Sequence, residues 1–144
     1  MNAKSLLITI VVAFVTVFAT DILIHAVWLG QTYKATADLG LWRTESAMEA
    51  MRPLMMVAEF LVAAAFALIF AACVAEKRCI SCSLKYAACM GIFAGAGQIM
   101  MYAVEPLPGS LVVKWVFAGI AQAVVLGVVV HKVYKPAPIA TGSS

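Results

Sequence analysis

Four apolar segments, each about twenty residues long, constrain the fold of this chain more than any other feature. They run over residues 6–29, 54–75, 86–104 and 111–130. At about 1.5 Å per residue, a helix of this length crosses the roughly 30 Å hydrocarbon core of a bilayer. The sequence is 65% hydrophobic and 12% charged, which excludes an ordinary soluble domain. We therefore predict one all-α domain over residues 1–144, an integral membrane four-helix transmembrane bundle of up-down-up-down topology.

The segments between the apolar stretches differ in positive charge. Six of the ten basic residues fall on the side of both termini: Lys4, Lys77, Arg78, Lys85, Lys132 and Lys135. The other four fall on the opposite side: Lys34, Arg43, Arg52 and Lys114. Because cytoplasmic loops carry an excess of basic residues, this distribution predicts that both termini are cytoplasmic. The long loop 31–53 is then external, and the proline-bearing end 136–144 is predicted to be a flexible tail.

The external loop carries a helix-start signal. Ser46 and Glu49 fit a capping box, which predicts a short helix before Pro53. Pro53 then either begins the second transmembrane helix or kinks it. The connections after the second and third segments are short, so successive helices there are predicted to be antiparallel neighbours.

The third segment has small residues at four-residue spacing, namely Ala87, Gly91 and Gly95. Lipid supplies no hydrophobic force between helices, so small residues mark the faces where helices approach closely. The second segment is rich in alanine between residues 63 and 72. These Ala/Gly-rich faces predict a compact bundle, and either self-association or contact with a protein partner within the lipid bilayer.

Polar side chains occur at one level near the external ends of all four segments. They are Asp21, His25, Glu59 and Gln98, with Lys114 just above them. A charged residue inside a membrane costs about 2.5–3.5 kcal/mol, so these groups should face the bundle interior and pair. In a structural interpretation Asp21 holds His25, and Glu59 pairs with Lys114 or Arg52. In a functional interpretation the layer binds a proton, a metal ion or a small ligand.

A metal site is a narrower hypothesis for the same region. His25, Asp21, Met55 and Met101 lie near the external ends of their segments. Thioethers bind Cu(I), whereas imidazole and carboxylate bind Cu(II) or Zn(II), so copper and zinc are the metals to consider. Methionine is also a common apolar residue at helix interfaces, so these methionines do not by themselves indicate a metal site. We expect the chain to hold no cofactor.

Four cysteines lie near the predicted cytoplasmic side: Cys73, Cys79, Cys82 and Cys89. A four-cysteine zinc or iron–sulfur site normally has two close pairs, and here only Cys79 and Cys82 form one. Because the cytoplasm is reducing, free thiols are expected, although the reversed orientation would favour a Cys79–Cys82 disulfide.

Other function classes find little support in the sequence. It has no phosphate-binding glycine loop outside the apolar segments and no readable Ser/His/Asp arrangement, so an enzyme acting alone is not expected. The net charge of +3 is modest and no basic run accompanies it, so a nucleic-acid partner is not expected either.

Several landmarks occur together along the chain. They are Asp21, His25, Tyr33, the triplet Leu41-Trp42-Arg43, an external Glu/Met segment, and YAVEPLP before a Lys-Trp helix. In these landmarks the chain resembles an uncharacterised family of small four-span bacterial inner-membrane proteins. The resemblance covers nearly the whole chain and implies a bacterial inner-membrane four-helix protein with Asp21, His25 and Arg43 as motif positions. It implies no activity, cofactor or substrate, and the cysteines are not part of it.

The small size and the Ala/Gly-rich faces favour a non-enzymatic accessory, assembly or binding subunit. One alternative is an oligomeric ion or metal transporter or channel that uses Asp21, His25 and Glu59. A transporter needs a continuous polar path, and the cytoplasmic half offers only Thr9, the cysteines and Gln122. Another alternative is a small subunit of a membrane redox complex that lines a quinone or haem pocket.

Overall fold

The computed structural model describes residues 1–137. Its α-helices are α1 Ala3–Asp21, α2 Gly30–Ala35, α3 Glu45–Cys73, α4 Ile80–Val104 and α5 Gly109–Val133. A π-helical segment, Ile22–Trp28, continues α1, and short 3-10 turns lie at Ala37–Leu39 and Ala75–Lys77. Four helices are long and apolar enough to cross a membrane: Ala3–Trp28, α3, α4 and α5. The predicted all-α four-helix bundle is therefore confirmed, and residues 1–137 contain no strand.

The first and last long helices meet at one end of the bundle. The backbone N–H of Lys135 donates to Ser5 Oγ at 2.7 Å, and the N–H of Asn2 donates to the Tyr134 hydroxyl at 3.3 Å. This end is named the terminal end, and the opposite end, with α2 and the turn before α5, is named the loop end. Most of the predicted tail 136–144 lies outside the described residues, and its first two residues have no regular secondary structure.

The long helices form an open arrangement. α1 packs against α3 and α5, and α5 packs against α4. The main link between α3 and α4 is Tyr86 in the terminal half, whose hydroxyl donates to the Phe66 carbonyl at 2.7 Å. The predicted α3–α4 pairing is therefore wrong for the loop half, because a short connection holds together only the helix ends nearest to it.

The closest helix contact lies between α4 and α5. Ala87, Gly91 and Gly95 are all buried on α4. A methyl group on Gly91 would lie 2.8 Å from the Ile120 Cα, and one on Gly127 would lie 2.5 Å from the Ala87 Cβ. Backbones approach this closely only where side chains are absent or very small. The small-residue face predicted on the third segment therefore packs against α5 of the same chain.

Apolar side chains fill the terminal half of the bundle. The larger ones include Phe66 and Phe70 on α3 and Leu126 and Val130 on α5. Thr9 is buried there as well, and its hydroxyl donates to the Ser5 carbonyl at 2.7 Å within its own helix. An apolar layer therefore separates the polar residues of the loop half from the terminal end.

Helix α3 begins earlier than the sequence predicts and passes through Pro53. Thr44 caps its start by accepting the N–H of Ala47 at 3.4 Å, and the helix continues to Cys73. The predictions of a separate short helix capped by Ser46, and of a helix beginning at Pro53, are wrong. Proline removes a single backbone donor, and a helix with a long apolar continuation tolerates that loss.

Gly127→Ala is expected to weaken the pairing of α4 with α5, because the added methyl would overlap Ala87. The free energy of unfolding in bicelles, measured by steric trapping, should fall by about 1–3 kcal/mol. Gly119→Ala on the same helix is the matched control, since a methyl there has no neighbour within 4 Å. Equal stability of the two variants would contradict this packing.

Candidate functional site

A cavity of about 420 Å³ lies in the loop half of the bundle, and all four long helices contribute to its lining. Its polar side chains are Asp21, His25, Glu59, Gln98 and Gln122, and Trp115 also lines it. Exposed residues of α3 and α4, such as Ala58, Val62 and Ala94, form its border. The cavity, named the cleft, is therefore open on the side where α3 and α4 do not pack.

Four of the five residues predicted for the polar layer line this cleft. Asp21, His25, Glu59 and Gln98 approach it from three different helices. The fifth, Lys114, does not line it, and its Nζ donates instead to Thr32 Oγ1 at 3.1 Å near the loop end. The structure therefore assembles the predicted layer without its cation.

Asp21 is held by a residue that we assigned to the other half of the membrane. The side-chain amide of Gln122 on α5 donates to Asp21 Oδ1 at 2.7 Å and to Thr20 Oγ1 at 2.8 Å. Sequence reasoning missed this partner, although Lys114, Ala118 and Gln122 follow one another at four-residue spacing on one helical stripe. The amide of Gln122 therefore fixes the orientation of the Asp21 carboxyl group.

His25 does not pair with Asp21, so that prediction is wrong. Its Nδ1 lies 2.7 Å from the Tyr33 hydroxyl, and that hydroxyl also accepts the indole N–H of Trp115 at 2.8 Å. Because tryptophan can only donate, the Tyr33 proton is available to Nδ1 of a neutral His25, which then carries its own proton on Nε2. Tyr33 is thus the central residue of a second network, and sequence reasoning had placed it only as a landmark.

The local backbone explains why His25 turns to Tyr33. Residues Ile22–Trp28 are π-helical, and the N–H of Leu29 donates to the Ile24 carbonyl, five residues earlier, at 2.8 Å. This wider turn breaks the α-helical spacing that would have stacked His25 over Asp21. The fully buried Leu29 then starts the path into α2, which carries Tyr33. Wide π turns inside helices occur frequently at functional sites.

Aromatic rings cover the loop end of the cleft. Trp42 lies edge-on to Tyr33, with ring centroids 5.2 Å apart, and edge-on to Trp115 at 6.2 Å. Its indole N–H donates to Thr36 Oγ1 at 3.0 Å, which holds the ring in place. Burial raises the pKa of Tyr33 above its usual value; the hydrogen bond from Trp115 opposes this rise and the charge of Asp21 adds to it. Tyr33 therefore remains a neutral hydrogen-bonding group over the physiological pH range.

Glu59 differs from the other polar residues of the cleft. Its Oε2 atom is buried and has no hydrogen-bond partner among residues 1–137. The predicted ion pairs do not form: Arg52 lies 3.5 Å from Glu49 one turn away, and Lys114 contacts Thr32. Arg52 is two helical turns from Glu59, about 10 Å along the axis, which favours its nearer partner. Burying an unsatisfied polar atom costs about 1–3 kcal/mol, so this carboxyl is available to an additional donor.

The proposed metal ligands are not brought together. Met55 and Met101 are 50% and 44% exposed and do not line the cleft with Asp21 and His25. Among the described residues, no group of three His, Cys, Asp or Glu side chains is arranged to hold a metal ion. The chemistry that the cleft offers is hydrogen bonding, with two carboxyl groups that favour a ligand carrying a donor or a positive charge.

The cysteines are also dispersed. All four are free; Cys73 and Cys89 are exposed, and Cys79 caps the start of α4. The Cys79 Sγ accepts the backbone N–H of Cys82 at 3.2 Å and lies 3.0 Å from Ser81 Oγ. Hydrogen bonds from the Cys82 thiol, then the Ser81 hydroxyl, then the Cys82 backbone lower the pKa of Cys79 to about 7. The lowered pKa favours the thiolate form of Cys79.

Gln122→Leu should destabilise the bundle, because Asp21 would lose the amide that binds it inside the cleft. We expect the free energy of unfolding to fall by about 1–3 kcal/mol in bicelles. Gln98→Leu is the matched control, since Gln98 lines the same cleft but is exposed and makes no side-chain hydrogen bond within residues 1–137. A loss at Gln98 equal to that at Gln122 would contradict this role.

Alkylation of Cys79 should follow a titration with a midpoint near pH 7. Because the thiolate is the reactive form, the alkylation rate rises as the pH passes upward through the pKa. At pH 7 the rate should exceed that of an ordinary cysteine about threefold, since the larger thiolate fraction is partly offset by the lower nucleophilicity of a less basic thiolate. Mass spectrometry of iodoacetamide-treated protein gives the rate at each cysteine. Cys79→Ser should remove the fast reaction and Cys89→Ser should not; a midpoint above pH 8 in the unmodified protein would contradict the expectation.

Comparisons with known proteins indicate no function for this chain, so a function has to be argued from the geometry of the cleft. No protein-family model, no curated protein and no solved structure matches the chain. The resemblance to small four-span bacterial inner-membrane proteins stays a prediction, carried by the landmarks around Asp21, His25 and Arg43.

Proposed function

We propose that this chain is a non-enzymatic accessory subunit of the bacterial inner membrane. Its cleft receives a polar side chain from a transmembrane helix of a partner protein. The partner helix lies along the open side, between the loop halves of α3 and α4. It completes the fourth side of the bundle, which this chain leaves open by itself.

The observation that carries this proposal is the buried Oε2 of Glu59, which has no hydrogen-bond partner among the described residues. In lipid there is no water to satisfy such an atom, so a donor from a neighbouring helix would gain the full benefit of the bond. Asp21 and His25 already have partners within the chain, and Glu59 is therefore the residue left for an external donor.

The border of the cleft supports a helix as the occupant. Ala58 on α3 and Ala94 on α4 are small and exposed, so a partner backbone can approach between them. Exposed Gln98 on α4 offers a further amide beside the opening. Small residues that permit approach, together with polar residues that bond across the gap, are the pattern that drives association of helices in membranes.

Transport and redox roles are less well supported. An ion that enters the cleft of one protomer would still have to cross the apolar layer of Phe66, Phe70 and Leu126. Transport through Asp21, His25 and Glu59 would therefore require a path formed between several copies. A redox subunit would have to use the cleft against a quinone or haem held mainly by its neighbours.

Glu59→Leu is expected to release the partner, because it removes the acceptor without reducing the apolar surface. Native mass spectrometry of the protein extracted in mild detergent should show a stoichiometric partner mass, and the variant should lower its occupancy about tenfold, or about 1.4 kcal/mol. Glu49→Leu is the matched control on the same helix, since Glu49 is exposed and paired with Arg52.

A photo-crosslinker tests the position of the partner independently. Placed at Val62, which borders the cleft, it should label the partner protein; placed at Leu61, which has similar exposure on α3 but does not line the cleft, it should label lipid. Equal occupancy in the two glutamate variants, or lipid labelling from both positions, would contradict the proposal.

A further inference from the structure

A second cavity lies at the terminal end, on the far side of the apolar layer from the cleft. Its volume is about 360 Å³, and it lies between the segment after α3 and the end of α5. Three of the residues lining it can carry positive charge: Arg78, His131 and Lys135. Phe70 and Tyr134 form apolar walls behind them. The cavity therefore combines positive charge at its opening with apolar walls, and it lies at the level where the helices end. Sites that bind lipid headgroups at the membrane–water interface have these features.

The positive charge of this cavity is not neutralised within residues 1–137. Neither Arg78 nor Lys135 forms a salt bridge there, because the single described ion pair joins Arg52 to Glu49 at the loop end. The nearest acidic residue by position is Glu76, which lines an adjoining cavity of about 460 Å³ on the other side of Arg78 and Tyr134. Two fixed cations therefore face the cavity without a carboxylate among its lining residues.

Arg78 is held in an unusual backbone conformation. Its φ is +47°, the left-handed region, and it is the one non-glycine residue with positive φ among residues 1–137. Its N–H donates to the Ala75 carbonyl at 3.2 Å and closes the 3-10 turn after α3. A residue with a Cβ pays about 1–2 kcal/mol for this conformation, which glycine would avoid. The left-handed conformation ends the turn at Arg78, and it fixes where the Arg78 side chain begins.

His131 is positioned by a hydrogen-bond chain. Its Nδ1 lies 2.8 Å from Ser83 Oγ, and that hydroxyl donates to the Cys79 carbonyl at 3.1 Å. With the Ser83 proton used in this way, Ser83 accepts from Nδ1, and Nε2 remains the ring atom available to a ligand. His131 also lies in the last turn of α5, beside the opening of the cavity.

We infer that this cavity binds the phosphate group of an anionic phospholipid, with Arg78 as the principal ligand and Lys135 as a supporting donor. Guanidinium groups bind phosphate oxygens bidentately, and the acyl chains would extend along the apolar outer surface of the helices. The inference is independent of the proposed function, because the two cavities lie on opposite sides of the apolar layer. The same chemistry would also accept free phosphate, which the experiment distinguishes.

Native mass spectrometry of the full chain with added lipid tests this inference. The unmodified protein should retain one phosphatidylglycerol per chain in preference to phosphatidylcholine, and Arg78→Gln should lower that affinity about tenfold. Lys77→Gln is the matched control: it removes a charge from the preceding position, and Lys77 does not line either cavity at this end. Lys135→Gln should give a smaller loss of the same kind.

Further measurements distinguish a bound lipid headgroup from bound free phosphate. Retention of phosphatidylglycerol in millimolar inorganic phosphate identifies the lipid headgroup, whereas phosphate adducts in phosphatidylcholine identify the free anion. If Arg78→Gln does not fold, Arg78→Lys keeps the charge but loses the bidentate geometry, and it should bind with intermediate affinity. Equal lipid selectivity in Arg78→Gln, Arg78→Lys and unmodified protein, or an equal loss in Lys77→Gln, would overturn the inference.

Discussion

The close approach of α4 and α5 determines much of the rest of the structure. Gly127 lies against Ala87, and Gly91 lies against the backbone of Ile120, so these two helices are drawn together along much of their length. α3 packs on α1 instead, and meets α4 mainly through Tyr86 near their shared connection. Because α4 is held by α5 and α3 by α1, the loop halves of α3 and α4 are left apart. The cleft is a consequence of that division.

A polar group inside the cleft needs a hydrogen-bond partner from the protein where water is absent. Asp21 finds Gln122 on another helix, and His25 finds Tyr33 on the segment that follows its own helix. Glu59 and Gln98 form no such bond within residues 1–137, and of these two it is Glu59 that has a buried oxygen without a partner. Of the two acidic side chains that line the cleft, one is therefore bonded within the described residues and the other keeps an oxygen without a partner.

The two ends of the molecule combine apolar and polar surfaces differently. At the loop end, the rings of Tyr33, Trp42 and Trp115 cover a cavity that contains carboxyl groups. At the terminal end, Arg78 and Lys135 face a cavity backed by aromatic walls. The apolar layer between them separates an acidic site from a basic one. This asymmetry agrees with the uneven distribution of basic residues along the sequence, which placed six of ten at the terminal end.

The sequence by itself determined the number of membrane-capable helices, because that number depends on the length and apolar composition of each segment. It also determined the level of the polar layer, which depends on position along a helix at a fixed rise per residue. It could therefore place Asp21, His25, Glu59 and Gln98 at one level, but the pairings predicted among these groups were wrong. Only the tertiary structure decided those partners, since a shift of one residue rotates a helix face by about 100° and a hydrogen bond tolerates far less. The π-helical turn at His25 and the open side beside α3 arise from this fine geometry.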